Sequence, residues 1–268
     1  MKFVQKNNSF SNSSRHHVKV NNFIISKKNR FDRVSISCLH RKNGKCLLTG
    51  TIVAWHRGGG KKNLFRKLNF SNRGFNSVVV NIFYDPCRNA FGSLNFDLEK
   101  LIFFRTIATT CSFPGMLSTC NAFIYDLKLG DKTKISNIPS GSLIYNLSKN
   151  FFSSSNYIRS AGTTGQIIQK FDKNVLVRLP SGNFITISRN AFACVGIVSN
   201  VEKRYTVLGK AGRNRLLNNR PITRGVAMNP VDHPHGGRTN GGRPSVTPWG
   251  LPTKSGFKLR RKKHLKNN

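Results

Sequence analysis

The sequence predicts an all-β protein: two small barrels in series, bracketed by long irregular basic arms. Three observations carry that prediction. Between residues 35 and 198 no segment sustains a 3.6-residue apolar period. The same span is cut into short runs rich in β-branched and aromatic residues, with Gly, Asn, Asp and Pro turn signals between them. Outside it the apolar pattern gives way to charge: the chain holds 45 Lys and Arg against 9 Asp and Glu, a formal net charge of +36.

Residues 1–34 form the first arm, Asn- and Ser-rich, with Lys2, Lys6, Arg15, Lys19, Lys27, Lys28 and Arg30 against Asp32. Residues 35–118 form the first barrel. Its strands are VSISCLH (34–40), CLLTGTIVAW (46–55), KNLFRKLNF (62–70), SVVVNIFYD (77–85) and LEKLIFFRTIA (98–108). Asn43-Gly44 and Arg73-Gly74 suit tight hairpin turns between them. Short strands at regular spacing favour closure into a barrel. Residues 119–198 form the second, from AFIYDLKLG (122–130), LIYNLS (143–148), QIIQKF (166–171), NVLVRLP (174–180), NFITISR (183–189) and ACVGIVS (193–199). Turns fall at Phe171–Asn174 and at Pro180-Ser181-Gly182. Residues 199–268 are the second arm, with one short helix near 208–217 and otherwise loop, a length that calls for an ordering partner.

A charge this one-sided points to a polyanion, with nucleic acid ahead of an anionic membrane. No run approaches the ~18 apolar residues of a membrane span, and no basic segment carries a helical apolar stripe. None of the 6 Cys is spaced CxxC. Cys38, His40 and Cys46 could serve zinc but lack a fourth ligand, so free thiols in a reducing compartment are expected. The N-terminus has no signal-peptide apolar core; its basic, Ser-rich character fits a transit peptide or an RNA-contacting tail.

Trp55-His56-Arg57-Gly58-Gly59-Gly60-Lys61-Lys62 concentrates charge around three glycines. Such a backbone can approach a phosphate and donate N–H groups, with His56, Arg57, Lys61 and Lys62 beside it. It is not a P-loop, because GxxxxGK[ST] is absent. A plain glycine hairpin tip would not need that charge. Further basic positions are Arg159 in a small-residue loop (157–165), Arg178 in a strand, and Lys210, Arg213, Arg215, Arg220 and Arg224 after residue 208. Phe65, Phe70, Phe75, Phe83 and Tyr84 fill the barrel or stack on bases.

Asn229–Gly250, NPVDHPHGGRTNGGRPSVTPWG, invites an active-site reading through Asp232-His233. Adjacent side chains on an extended backbone point apart, however, and no GxSxG or HExxH accompanies them. His233 and His235 alone cannot complete a metal site. The expected roles are a local turn held by the Asp232 carboxylate, with His233 and His235 donating to phosphate or ribose. The prolines pre-set an extended path, Gly236 and Gly237 let it run close to RNA, Arg238 and Arg243 supply charge, and Trp249 anchors the exit.

Eight segments in order carry a family resemblance: WHRGGGKKNLFR (55–66), IFYDPCRNA (82–90), SNIPSGSLIYNL (136–147), RSAGTTGQI (159–167), VRLPSGNF (177–184), VLGKAGRNR (207–215), RGVAMNPVDHPHGG (224–237) and VTPWG (246–250) with Lys254. The chain resembles the L-two family of large-subunit ribosomal proteins over about 45–258. That resemblance implies an OB-type barrel followed by an SH3-like barrel, with extensions threading into RNA. It implies binding to large-subunit rRNA, a part in subunit assembly and joining, and a place near the peptidyl-transferase centre. Neighbouring ribosomal proteins and the small subunit are the implied contacts; there is no small-molecule substrate, no enzyme activity and no cofactor beyond structural Mg²⁺ of the rRNA. Arg57, Gly58, Gly59, Gly60 and Lys61 are implied RNA contacts, joined by Arg66, Arg88, Lys254 and Lys258. One departure stands out: the family pattern HPHGGGEG is here His235-Gly236-Gly237-Arg238, shorter and with a base in place of the acid. The Phe-, Asn-, Ile- and Lys-rich composition fits an AT-rich genome, hence an organelle ribosome, mitochondrial before plastid, with a reduced bacterial genome as the alternative. The competing function is a free single-strand RNA chaperone working through exposed Phe65 or Phe83.

Overall fold

The computed structural model describes residues 4–6, 11–12, 14–20, 36–39, 44–46, 48–61, 63–71, 75–121, 126–237 and 245–253. The chain divides into two compact units: Met1–Arg41 with Lys61–Asn214, and Lys42–Gly60 with Arg215–Asn268.

The first unit is almost entirely β. A short hairpin pairs β1 (Val4–Lys6) with β2 (Val18–Val20), and Val18 bridges Val207, so the N-terminal arm is not wholly irregular. Next, β3 (Ile36–Leu39) pairs antiparallel with β4 (Asn63–Arg66). The first lobe of the main sheet holds β5 (Phe75–Phe83), β6 (Gly92–Asp97), β7 (Phe103–Ile107) and β8 (Leu117–Cys120), ordered β8-β5-β6-β7. The second lobe holds β9 (Lys132–Lys134), β10 (Leu143–Tyr145), β13 (Gly165–Lys170), β14 (Asn174–Arg178), β15 (Phe184–Ser188) and β16 (Phe192–Val195), ordered β15-β14-β13-β10-β16-β9. Between them in sequence, β11 (Leu147–Ser148) pairs with β12 (Ser155–Tyr157). A single parallel pairing, Cys120 with Lys132, joins the lobes into one ten-stranded sheet. The one α-helix among the described residues, α1, is Ala211–Leu216. No helix among the described residues is long and apolar enough to cross a membrane.

The sheet forms for the reasons its pattern predicts. In β14, Val175 and Val177 turn inward while Asn174 and Arg178 face out, and the Pro180-Ser181-Gly182 turn closes with Gly182 N–H donating to Leu179 O at 2.9 Å. Those valines join Ile135, Ile138, Ile144, Leu147, Ile167 and Val198 in a core of side chains with no solvent exposure. Each is worth roughly 1.5–3 kcal/mol on burial. Phe83 belongs to the same core, with the Arg66 and Arg105 guanidiniums 5.4 and 5.9 Å from its ring centre. It is therefore not a base-stacking surface, and Phe65 and Phe70 are half-buried.

Several sequence expectations differ from the fold. CLLTGTIVAW is not a strand: apart from the Lys45–Ile52 bridge it is turns, because Gly50 at φ +68° reverses the chain and its N–H returns to Cys46 O at 3.1 Å. Within AFIYDLKLG, Asp126–Gly130 is bend and turn, since the Asp131 carboxylate takes the N–H groups of Lys128 and Thr119 at 2.9 Å each; Ala122–Tyr125 lie outside the described residues. Strand β6 escapes pattern reading because polar side chains are buried on either side of Leu94: Ser93 and Asn95 both bond the Thr106 hydroxyl. The expected turns at Asn43 and Arg73-Gly74, and His40, also fall outside the described residues.

A candidate nucleic-acid interface

The second unit has a different construction. None of its described side chains is a buried hydrophobic; only Asn218, His233 and the backbone of Gly236 are buried. Segments 42–60 and 215–268 carry 15 Lys and Arg against one acid, Asp232. Polar bonds hold it. His56, at φ +54°, places Nδ1 3.0 Å from Pro221 O, and its own carbonyl accepts from Arg220 N–H at 2.9 Å. Arg57 bridges Asn219 through the backbone, and its guanidinium donates to the Asn219 side-chain oxygen. Gly58 N–H donates to Asn218 O at 3.2 Å, and Gly60 N–H to Asn218 Oδ1 at 3.3 Å. A Cβ on Gly60 would lie 2.8 Å from the Asn218 backbone nitrogen. The glycine at this position is thus required by the chain's own Asn218, which corrects the expectation that phosphate approach alone explains it. His56, Arg57, Gly59, Arg215, Arg220 and Arg224 stay exposed on this frame, and Gly58 and Gly60 are partly so.

The segment 225–237 closes on itself. Asn229 O accepts from Asp232 N–H at 3.0 Å and His233 N–H at 3.3 Å; Gly236 N–H returns to His233 O at 2.8 Å and Gly237 N–H to Met228 O at 3.2 Å. A Cβ on Gly236 would meet Asn229 O at 2.2 Å. Here too the glycine serves an internal approach. The His233 ring is buried against Gly225, and its Nδ1 accepts the His235 N–H at 3.0 Å, which puts the ring proton on Nε2. His235, half-buried, stacks at 4.6 Å on His233, and its Nε2 lies 3.4 Å from Val246 N. The Asp232 side chain is exposed and accepts no hydrogen bond among the described residues, so Asn229 O and not the Asp232 carboxylate fixes this turn. Asp232 is exposed and His233 buried, and no hydrogen bond joins their side chains. Among the described residues no three His, Cys, Asp or Glu converge on a metal-sized site.

In the first unit the predicted positions sort into two groups. Three are internal. Arg66 lies over Phe83 with Nε and Nη1 buried. Arg88 pairs with the buried Asp85 at 2.6 Å, and Arg88 and Arg159 flank the Phe70 ring at 5.7 and 4.9 Å. These half-buried guanidiniums pack against the body. Lys61, Arg178 and Lys210 are exposed. Arg213 is half-buried and donates to Leu208 O; its charge and that of Lys19, after burial, hold the His17 imidazole below the usual range. Lys62, Arg238, Arg243, Lys254 and Lys258 lie outside the described residues. Three residues of the candidate interface escape sequence reading, the first two being Asn218 and Asn219, which frame the glycine loop from about 160 positions away. The only local hint was their place between Arg215 and Arg220. Trp55 is the third, packed on Trp249 with ring centres 5.6 Å apart.

Three acids are buried in the body. Asp85, Asp97 and Asp131 are buried and accept backbone N–H groups. Glu99, Asp126, Asp172 and Asp232 are exposed, but Lys and Arg far outnumber acids in the chain, 45 against 9, as a polyanion partner requires.

Comparisons with known proteins agree with this surface. Residues 33–102 match the family described as Ribosomal Proteins L2, RNA binding N-terminal domain, and residues 128–250 match Ribosomal Proteins L2, C-terminal domain. The first match takes in β3–β6, and the second takes in β9–β16 and part of the second unit; the family's two domains are OB-type and SH3-like. The large ribosomal subunit protein uL2m of Reclinomonas americana is 41% identical over 213 residues, 77% of this chain and 76% of that protein. The uL2 proteins of Rickettsia massiliae (strain Mtu5) and Rickettsia prowazekii (strain Madrid E) are 40% and 39% identical, each over 80% of this chain and 79% of their own. The relatives are ribosomal and structural, not enzymes; on these matches, the chain belongs to the ribosomal protein L2 family.

Proposed function

We propose that this chain is a structural, rRNA-binding constituent of the large ribosomal subunit, with its second unit moulded against RNA. One observation carries the reading: a unit with 15 Lys and Arg, one acid and no buried hydrophobic among its described residues. Ordering such a backbone costs ~1–2 kcal/mol per residue, and burial does not offset it. Phosphate contacts and counterion release do. Support for subunit assembly and joining, and for the architecture around the peptidyl-transferase centre, follows from the family relationship, as do contacts with neighbouring ribosomal proteins and the small subunit. The chain needs no cofactor of its own; Mg²⁺ serves the surrounding rRNA. Its ribosome is mitochondrial on this reading: the Reclinomonas relative carries the mitochondrial name, although the bacterial relatives are equally similar.

The exposed cations on the glycine-loop frame contact phosphate: His56, Arg57, Arg215, Arg220 and Arg224, with Lys61, Arg178 and Lys210 on the body. The test is sedimentation of the full chain in cell extract. It comigrates with the large subunit and is released by rising salt; recovery only in free fractions would defeat the proposal. For the single-strand chaperone reading, Phe83 is core and Phe65 is half-buried, so neither is the freely exposed ring it relies on.

A further inference from the structure

Both tryptophans of the chain sit together and outward. Trp55 and Trp249 are 56% and 66% exposed, with ring centres 5.6 Å apart and planes tilted by 52°. Large exposed aromatics are unfavourable in water unless something covers them. Each is fixed by backbone bonds on both sides. Before Trp55, Val53 and Ala54 N–H groups donate to Gly44 O at 2.8 and 3.0 Å; after it, His56 is tied to Pro221 and Arg220. Trp249 tops a tight loop in which Thr247 N–H meets Leu251 O at 2.8 Å and Gly250 N–H meets Thr247 O at 2.9 Å. Neither ring has a cation over it among the described residues, although cations surround the unit.

We propose that Trp55 and Trp249 form a stacking platform for one unpaired RNA base, which rests on the outer face of one indole. This rests on the RNA-binding reading above and adds its chemistry. The occupant is a nucleobase and not a protein side chain because the platform belongs to a unit with a single acid and a large excess of Lys and Arg. A neighbour approaching it is selected for phosphate, and each phosphate of a single strand brings a base with it. An outer face is specified by the geometry. Stacked rings sit at least ~4.5 Å apart centre to centre, so a third ring does not fit between two that are 5.6 Å apart. A base within a duplex has both faces covered, so the platform selects an unstacked one.

Because these are the chain's only two tryptophans, indole emission reports on this site alone. The full chain is titrated with single-stranded RNA, with duplex RNA of equal length and with inorganic polyphosphate. Single-stranded RNA should quench the emission, whereas polyphosphate should bind without quenching. Trp249→Leu should weaken single-strand binding about 5- to 150-fold and leave polyphosphate binding unchanged; Trp249→Phe, which keeps a ring, should recover most of the loss. RNA binding with unaltered emission and no effect of Trp249→Leu overturns the platform while sparing the RNA-binding reading. Equal quenching by duplex overturns the selection for an unpaired base. An emission change that follows protein concentration without RNA means self-association and overturns the proposal. Failure to bind RNA at all removes both readings.

Discussion

Arg88→Gln separates packing from RNA binding at a position where the sequence favours the second. Arg88 is 24% exposed in its side chain, and its partner Asp85 only 1%. Removing one member of a fully buried pair costs about 3–5 kcal/mol. Partial exposure of Arg88 lowers this to about 2–3, because water screens the pair and can reach what is left. The contact with Phe70 at 5.7 Å adds about 0.5–1 kcal/mol. Asp85 would keep the Cys87 N–H at 2.9 Å but no cation. The total is about 3 kcal/mol. For a body of this size each kcal/mol moves Tm by about 2–4 °C, so melting followed by circular dichroism should fall by about 6–12 °C. RNA affinity measured against salt should keep its slope. Arg178→Gln, at an exposed strand position, should do the reverse: an unchanged Tm and a slope shallower by about 0.7–0.9, one phosphate contact. If Arg88→Gln melted with the wild type and flattened the salt slope, the internal assignment of Arg88 would be wrong.

Three further outcomes follow from the geometry. Gly236→Ala drives a methyl group onto Asn229 O and displaces the 225–237 backbone; at the usual overpacking cost of about 1–3 kcal/mol, filter-binding affinity for rRNA should fall by about 5- to 150-fold, and unaltered affinity would show that this turn is not part of the interface. Asp232→Ala removes a carboxylate with no hydrogen bond, so Tm should stay within the ~0.5 kcal/mol typical of surface changes and subunit incorporation should persist; loss of stability would mean the carboxylate fixes the turn after all. Thiol reactivity should divide the cysteines. The Thr49 hydroxyl and the Leu48 and Thr49 N–H groups lower the Cys46 thiol to about 7, whereas burial pushes Cys120 up to about 12. The thiolate is the reactive form and its fraction rises with pH, so iodoacetamide labelling of Cys46 should reach half its plateau rate near pH 7 while folded Cys120 stays unlabelled; mass spectrometry of digests reads both.

The second lobe was legible wherever burial followed strand periodicity. QIIQKF, NVLVRLP and NFITISR are short runs rich in β-branched residues, and each became a paired strand with the expected turns between them. Strand β6 was not legible, since Ser93 and Asn95 point inward and are satisfied by Thr106 on β7, a partner that pattern reading does not see. CLLTGTIVAW misled for the opposite reason: its apolar residues have no sheet to join, and Leu48 and Val53 stay exposed. In the candidate site, charge and glycine content pointed to Arg57–Gly60 and Arg215–Arg224, but not to which arginines face out. Arg66, Arg88 and Arg159 look no different in sequence from Arg178; aromatic rings from distant segments make them internal. The glycines were read as room for RNA, and Gly60 and Gly236 are first of all room for Asn218 and Asn229.

The central claim is that the β body folds by burial and the basic unit is fixed by RNA. Hydrogen exchange of the full chain, free and on large-subunit rRNA, tests it at named amides. In the free chain the β13–β15 amides should be protected, while Gly58, Arg220, Gly236 and Gly237, all donors in the structure, exchange within the first time points. On rRNA those four should become as slow as the body, since binding stabilises what it orders. Equal, strong protection of the four amides in the free chain would contradict the claim, because the second unit would then hold its shape without RNA.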